Sequence, residues 1–474
     1  MAKAGWQVTV LEKHAGPGGR ARRLSEGGFS FDMGPSWYWM PDVFERYFAC
    51  FGKKVEQYYA LQRLDPAYRI YGYDGFTDIP DSFDSLKDLF ESIEPGAAAQ
   101  LEKFMREAAY KYKTGMHKLV FKPGQSYSEF LDWELIKGIF QLDVFTSMKQ
   151  HIRKYFTHPR LQQLLEFPVL FLGALPQNTP ALYSLMNYAA VCGGTWYPQG
   201  GMYSIVQAMY ALASELGVSF HFNENVESIA VNGNRAKEVI TRTRAWQADV
   251  VIGGADYHFI ENSLLPPGAR SYTESYWNKR VMAPSCLLYY VGLNKRLEGV
   301  GHHSLFFDVP FEQHAKEIYT TPQWPAQPLF YAGIPSVTDT SVAPEGGENL
   351  FLLIPVAAGL GGDTEALRDQ YFNTIITRLE HHTQQPVASS IVYRKSFAGT
   401  DFVNEYNAYK GNAYGLANTL MQTAVLKPSC RSKKLQNLFY TGQLTVPGPG
   451  VPPALISGEV VAREINRHFG KAGA

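Results

Sequence analysis

Four cysteines in 474 residues are too few and too scattered to staple this chain. Cys50, Cys192, Cys286 and Cys430 form no C-x-x-C pair, so the sequence carries neither a zinc-site spacing nor a disulfide framework. An excess of charge of one sign is also missing, since 44 Lys+Arg face 44 Asp+Glu. No basic surplus points to nucleic acid, and no acidic block reads as a disordered tail. Long apolar runs are lacking as well. The longest nearly uncharged one, Phe167 to Pro176, is about half of the ~20 residues that a membrane-spanning helix needs. Internal repeats and low-complexity segments are absent. What is present is apolar material for a large core: 45% hydrophobic residues at this length suit two or three domains. The 14% aromatic content fits a wide apolar cavity and equally an ordinary large core.

One more absence is specific. Trp6 to Leu11 reads as a strand, Glu12 ends it, and a glycine-rich turn follows. In a mononucleotide-binding βαβ unit, an acid ending the second strand holds a ribose hydroxyl, ~20 residues after a G-x-G-x-x-G loop. Only 11 residues precede Glu12, and they contain no such loop. Two other glycine clusters do not replace it. "AAGLGGDTEAL" (357–367) has Thr364 where the third glycine belongs, and reads as a connecting loop. "VPGPGVPPAL" sets prolines beside its glycines. Proline has no N–H to give a phosphate, although such a turn can approach a flat ring. In "EKHAGPGGRA", Gly16, Gly18 and Gly19 let the main chain pass close to a bound group, and Arg20 supplies a cation for phosphate or ribityl oxygens. An ordinary surface turn with a solvated arginine fits the same residues.

Strand–glycine–helix pieces recur at the start, middle and end. A helix is expected over 202–216, a hairpin at Gly233, a short buried strand within 247–256, and a strand followed by a helix from about Pro453. Between them, 82–190 is helical in pattern. Ser126 and Glu129 form a capping-box signature there, and Leu131, Leu135, Ile136, Ile139 and Phe140 share one face. Residues 284–425 alternate strands with one helix near 364–381. The reading is a nucleotide-binding domain built from 1–80, 195–283 and 426–474. A second, substrate-binding domain is built from 81–194 and 284–425, its helical part a candidate to face a membrane.

Six stretches occur in a telling order: "VTVLEKHAGPGGRA", "FSFDMGPSW", "YPQGGMYSIVQAM", "NENVESI", "NAYKGNAYGL" and "NLFYTGQLTVPGPGVPPALISG". Over essentially the whole chain this resembles the bacterial-type phytoene desaturases, within the flavin amine-oxidase-like superfamily. The resemblance implies an α/β fold: an FAD-binding, Rossmann-like domain of the glutathione-reductase type, with an inserted α+β substrate domain and a helical cap. It also implies that a first strand and glycine loop precede the point where this sequence starts, with Met1 to Gly5 as the end of the following helix. A truncated N-terminus is therefore an expectation.

By the same resemblance, Glu12 accepts from the adenosine ribose and Lys13 lines that edge. Gly19 and Arg20 meet the pyrophosphate and ribityl chain. Gly34, Pro35 and Ser36 pass the flavin ring, with Asp32 capping or orienting that turn. Val226 pairs with adenine through its backbone, and Gly442 meets ribityl or phosphate. Val451, Pro452 and Pro453 form the turn at the pyrimidine end of the ring, where a helix N-terminus favours negative charge.

The implied activity is FAD-dependent desaturation of a linear carotenoid polyene, most simply phytoene towards lycopene, with a quinone or oxygen as final electron acceptor. A carotene cis–trans isomerase, a desaturase of another carotenoid, a flavin amine oxidase and a flavin-free fragment are the alternatives. No base stands out. Asp401 and Glu405 are candidates because "GTDFVNEYNAYKGNAYGL" matches a family motif, and capping or ion-pair roles fit them equally. Trp37, Tyr38, Trp39, Phe167, Phe171 and Trp196 suit either a tunnel wall or the core. His302-His303 and His381-His382 read as solvated. The scattered thiols suit a reduced, cytoplasmic protein, and an oily substrate adds the expectation that it is peripheral on the inner face of the cell membrane. The stretch Phe130 to Phe140, followed by Lys149, Arg153, Lys154 and Arg160, suits either an interfacial patch or a buried helix with a basic turn.

Overall fold

A computed structural model describes residues 1–130, 143, 145–170 and 174–470. Two short parallel ladders carry the nucleotide-type topology. Thr9–Leu11 runs beside Ser219–His221, and Val251–Gly253 runs beside Leu438–Tyr440. Parallel strands need long connections, and helix Tyr203–Glu215 leads into the second strand of the first ladder. An antiparallel meander follows, made of Val226–Asn232, Arg235–Thr241 and Ala245–Gln247. Its first turn places Gly233 at φ +60°, the left-handed conformation that a two-residue hairpin demands.

The second layer is a seven-stranded sheet in the order Ile391–Phe397, Ser285–Leu293, Glu348–Val356, Phe330–Gly333, His303–Phe306, Tyr68–Gly72 and Gly75–Ile79. Ser285–Leu293 is buried along its whole length, which explains its unbroken apolar sequence. Its two faces serve different cores because alternate side chains point oppositely. Leu287, Tyr289 and Val291 pack with Ile375, Ile376 and Leu379 of helix Glu365–Thr383. Cys286, Leu288 and Tyr290 face the other way, into the core that holds Phe29, Phe31 and Met33. Tyr290 there donates to the Met33 carbonyl at 2.9 Å, tying the sheet to the "DMGPSW" turn.

The segment read as helical contains helices Phe83–Ile93, Ala97–Thr114, Met148–Arg153, Pro159–Leu170 and Leu185–Val191. Ser82 and Ser147 cap the first and third, accepting from Ser85 and Gln150 amides at 3.1 and 3.2 Å. Glu129 accepts the Gly124, Gln125 and Ser126 amides, and a short 3₁₀ turn, Tyr127–Phe130, follows. The apolar face expected at Leu131 to Phe140, and Phe171, lie outside the described residues. Among the described residues no helix is long and apolar enough to cross a membrane.

The end of the 1–80 segment joins the second layer. Tyr68–Gly72 and Gly75–Ile79 fall within 1–80, yet they complete the seven-stranded sheet. Arg69, Ile70 and Tyr71 pair in parallel with Ser304, Leu305 and Phe306. A hairpin of this kind is marginal alone, and its hydrogen bonds and buried face are satisfied only against that sheet.

Candidate cofactor site

The site starts where strand Thr9–Leu11 ends. The Glu12 amide donates to the His221 carbonyl, and the Glu12 carbonyl accepts the Glu224 amide, both at 2.9 Å. The Asn223 amide donates to the His14 carbonyl, also at 2.9 Å. These bonds stitch the loop ahead of Val226 to the strand end, so Glu12 and the first residue of the meander share one edge. Glu12 Oε1 accepts the His14 amide at 2.9 Å, which aims the carboxylate. Lys13 Nζ donates to the Asn404 carbonyl at 3.0 Å. Burial holds the Lys13 ammonium below its ordinary pKa, against the pull of Glu405 and Glu12.

The glycine turn and the "DMGPSW" turn form one unit. Gly18 has φ +121° and Gly19 φ +52°, values that L side chains rarely adopt. A Cβ on Gly34 would stand 2.4 Å from the Arg20 carbonyl oxygen, so only glycine permits this approach. The Met33 amide donates to the Arg22 carbonyl at 2.9 Å. Arg20 is not solvated. Its guanidinium donates to the Asn412 carbonyl at 2.7 Å, lies 3.9 Å from the Asp256 carboxylate and sits 5.2 Å from the Tyr406 ring centroid. Burial lowers the Arg20 pKa and raises that of Asp256, each offset in part by the other's charge. Asp32 accepts the Met202 and Tyr203 amides at 2.7 and 2.9 Å, capping helix Tyr203–Glu215. Burial pushes its carboxyl up to about 6 against those two bonds.

The C-terminal turn closes the site. Gly442 has φ +99° with open space where a Cβ would be, and its amide donates to Ser457 Oγ at 3.1 Å. Gly450 has φ +112° and precedes helix Val451–Phe469, whose first turn holds Pro452 and Pro453. Prolines there give up amides that have no helical partner anyway.

Pro35 and Ser36 continue from Gly34, and Ser36 hydrogen-bonds the Tyr331 hydroxyl. Trp37 follows and stacks on His303, with centroids 4.0 Å apart and planes at 8°. Trp39, Tyr68, Phe167 and Tyr331 surround Trp37 with centroids 5.2 to 5.8 Å away. Tyr38 belongs to a different core, against Phe44 and Tyr59. Trp196 donates to the Gly193 carbonyl at 2.8 Å, beside Arg63.

The expectation that His302-His303 is solvated is overturned. His303 is 1% exposed and His302 is also buried. His303 Nδ1 meets the Tyr331 hydroxyl at 2.6 Å, and its Nε2 has no partner among the described residues. Burial lowers both imidazoles, His302 to about 3 and His303 well below its ordinary value. The sequence hides this because His303 opens a strand that neighbouring strands flank on both sides, with His302 just ahead of it. His381 is exposed, as expected, whereas His382 pairs with Asp308 at 2.8 Å.

Asp401 and Glu405 lie on helix Gly399–Tyr406. Asp401 accepts the Ala398 amide at 2.9 Å and pairs with Arg368 at 2.8 Å. Glu405 accepts from Arg22 at 2.7 Å. Burial would raise the Glu405 carboxyl, but the Arg22 bond and charge bring it below its ordinary value.

These residues fit an extended dinucleotide. Open space faces Gly19 and Gly442, an acid terminates the first ladder, and a helix N-terminus closes the far end. The comparisons agree. The family model described as flavin containing amine oxidoreductase matches residues 1–466. A carotenoid 3,4-desaturase of Haloarcula japonica is 40% identical over 467 residues, covering 98% of this chain and 94% of the relative. A zeta-carotene-forming phytoene desaturase of Myxococcus xanthus is 32% identical over 477 residues, covering 98% and 90%. Among solved structures, an oxidoreductase from Methanosarcina mazei shares the fold with TM-score 0.62 at 15% identity, covering 98% and 95%.

Proposed function

The chain belongs to the family of flavin containing amine oxidoreductases, and from that premise we propose that it is a desaturase of linear carotenoids. It is an FAD-dependent oxidoreductase. The observation that carries the substrate class is the 40% identity, over 98% of the chain, to a relative named for carotenoid desaturation. Bound FAD supplies a hydride acceptor for a hydrocarbon that offers the protein no polar handle. The chain's own residues position and seal. Glu12 and Val226 take the adenosine end. Gly19, Arg20 and Gly442 line the phosphate and ribityl stretch, and Gly34 to Ser36 and Val451 to Pro453 flank the ring. The aromatic wall of Trp37, Trp39, Tyr68 and Phe167 keeps water out and offers an apolar bed to a polyene. Asp401 and Glu405 act as positioning residues, because each would have to break an arginine pair to take a proton.

Phytoene towards lycopene is one form of this activity. The Haloarcula relative favours a second, desaturation at the 3,4 position, over the phytoene desaturase at 32% identity. Incubating the FAD-loaded protein in carotenoid-bearing vesicles separates them. Red-shifted products with paired hydrogen loss by mass are expected from one of phytoene or a linear carotenoid lacking the 3,4 double bond. Unchanged mass with both would overturn desaturation, and altered geometry alone would favour the isomerase.

An oily substrate also calls for a membrane surface. Phe145 is 81% exposed and stands four residues ahead of Lys149, with Arg153 and Lys154 following. We assign this side to the inner face of the cell membrane, with a quinone or oxygen accepting the electrons. Co-sedimentation with anionic vesicles that weakens on Phe145→Ser tests the surface. Equal binding by the variant would argue against it.

A further inference from the structure

Lys427 is a buried amine with no counter-ion among the described residues. Its side chain is 4% exposed, and its Nζ donates to Asn418 Oδ1 at 2.9 Å. Among the described residues no charged group offsets its burial, which pushes the ammonium down to about 7. An ion removed from water costs several kcal/mol unless it is paired, and an amide oxygen is a weak substitute for a carboxylate. The protein's interior therefore holds an amine here that negative charge placed nearby would keep protonated.

The location gives that amine a purpose. Gly448 packs against it: a Cβ there would stand 3.2 Å from Lys427 Nζ and 3.0 Å from Asn418 Oδ1. Gly448 lies in the turn between Gly442 and helix Val451–Phe469, three residues ahead of the helix N-terminus. Two sources of positive potential, an ammonium and the positive end of the helix Val451–Phe469 dipole, thus converge on one glycine-rich turn. Thr445 Oγ1 donates to the Pro428 carbonyl at 2.7 Å, which fixes the Lys427 segment against this turn.

We propose that Lys427 is a positioning and electrostatic residue for the flavin, supplying through the Gly448 turn the charge that offsets the negative charge of the reduced ring. The proposal rests on the reading of this turn as the pyrimidine end of an FAD site. It assigns Lys427 no part in breaking substrate bonds.

The test compares the FAD-loaded wild type with Lys427→Met and Lys427→Arg. Sulfite is the probe, because it adds negative charge to a bound flavin, and a dye-equilibrated redox titration provides the second readout. In Lys427→Met, sulfite affinity is expected to fall about tenfold or more. The reduction equilibrium shifts by a comparable factor, about 30 mV per tenfold for a two-electron couple. Lys427→Arg retains both. Thermal unfolding without FAD checks the fold, and the Met variant should be at least as stable, since an unpaired buried charge has been removed. A well-folded Met variant that loses FAD while the Arg variant holds it also supports the proposal. Unchanged sulfite affinity and potential in Lys427→Met, or an Arg variant that behaves like Met, would overturn it. A wild type that takes up no FAD would instead remove the reading of the site itself.

Discussion

Trp37 lies flat on the His303 imidazole, 4.0 Å between centroids and 8° between planes, so the residue that leaves the Gly34-Pro35-Ser36 turn seals a neutral histidine from water. Tyr331 joins the same group through His303 Nδ1 and Ser36. The turn expected to pass the flavin is therefore braced by a strand of the second layer.

That burial makes stability depend on pH. The folded-state pKa of His303 lies well below the ordinary 6.5, and that of His302 falls to about 3. Below pH 6.5 the unfolded chain binds protons that the native state refuses, so stability drops as pH falls. Each such histidine contributes a slope of about 1.4 kcal/mol per pH unit. Urea unfolding of His303→Gln between pH 4.5 and 7.5 should show a slope shallower by one proton. An identical slope would show that His303 titrates normally.

Gly34→Ala sets a Cβ 2.4 Å from the Arg20 carbonyl. Overpacking against backbone costs about 1–3 kcal/mol, and the two turns must separate, so bound FAD should fall together with Tm. Gly19→Ala meets open space but retains φ +52°, and should cost only about 1–2 kcal/mol of backbone strain. Flavin-to-protein absorbance ratios with thermal melts rank the two; a Gly34→Ala protein with full flavin and an unchanged Tm would refute the packing argument.

Glu12→Ala removes the acid that ends strand Thr9–Leu11. A charge-assisted hydrogen bond to a ribose hydroxyl contributes about 1.5–3 kcal/mol, so FAD affinity should weaken roughly 10- to 100-fold. Flavin fluorescence titration measures it. Affinity within twofold of wild type would move the adenosine end elsewhere.

Asp32 tests its cap separately. Asp32→Ala should cost about 1 kcal/mol by freeing the Met202 and Tyr203 amides. The native carboxyl titrates at about 6 rather than 3.8, so the native state holds its proton longer. Its contribution to stability declines as pH rises from 3.8 to about 6 and is flat above. Asp32→Asn keeps an acceptor and abolishes that decline, which chemical unfolding across pH 4–7 resolves; a decline that persists in Asn must come from other groups.

Local chemistry was legible in the residues themselves. Glu12 at a strand end, positive-φ glycines at 18, 19 and 233, proline in the first turn of helix Val451–Phe469, and serine caps all follow from backbone demands within a few residues. Family motifs added which groups those pieces hold. Burial was another matter. His302 and His303 look polar in line, Lys427 looks like any lysine, and the Tyr68–Ile79 hairpin looks like part of the first domain. Each is decided by packing that the line of residues does not show: Trp37 and Tyr331 around His303, Asn418 and Gly448 around Lys427, and strand His303–Phe306 beside Tyr68–Gly72. The sequence by itself determined the turns, the caps and the strand-end acid, because those depend on torsions and neighbours close in the chain. Only the tertiary structure decided which charges and imidazoles lose their water, because desolvation is set by what packs on top.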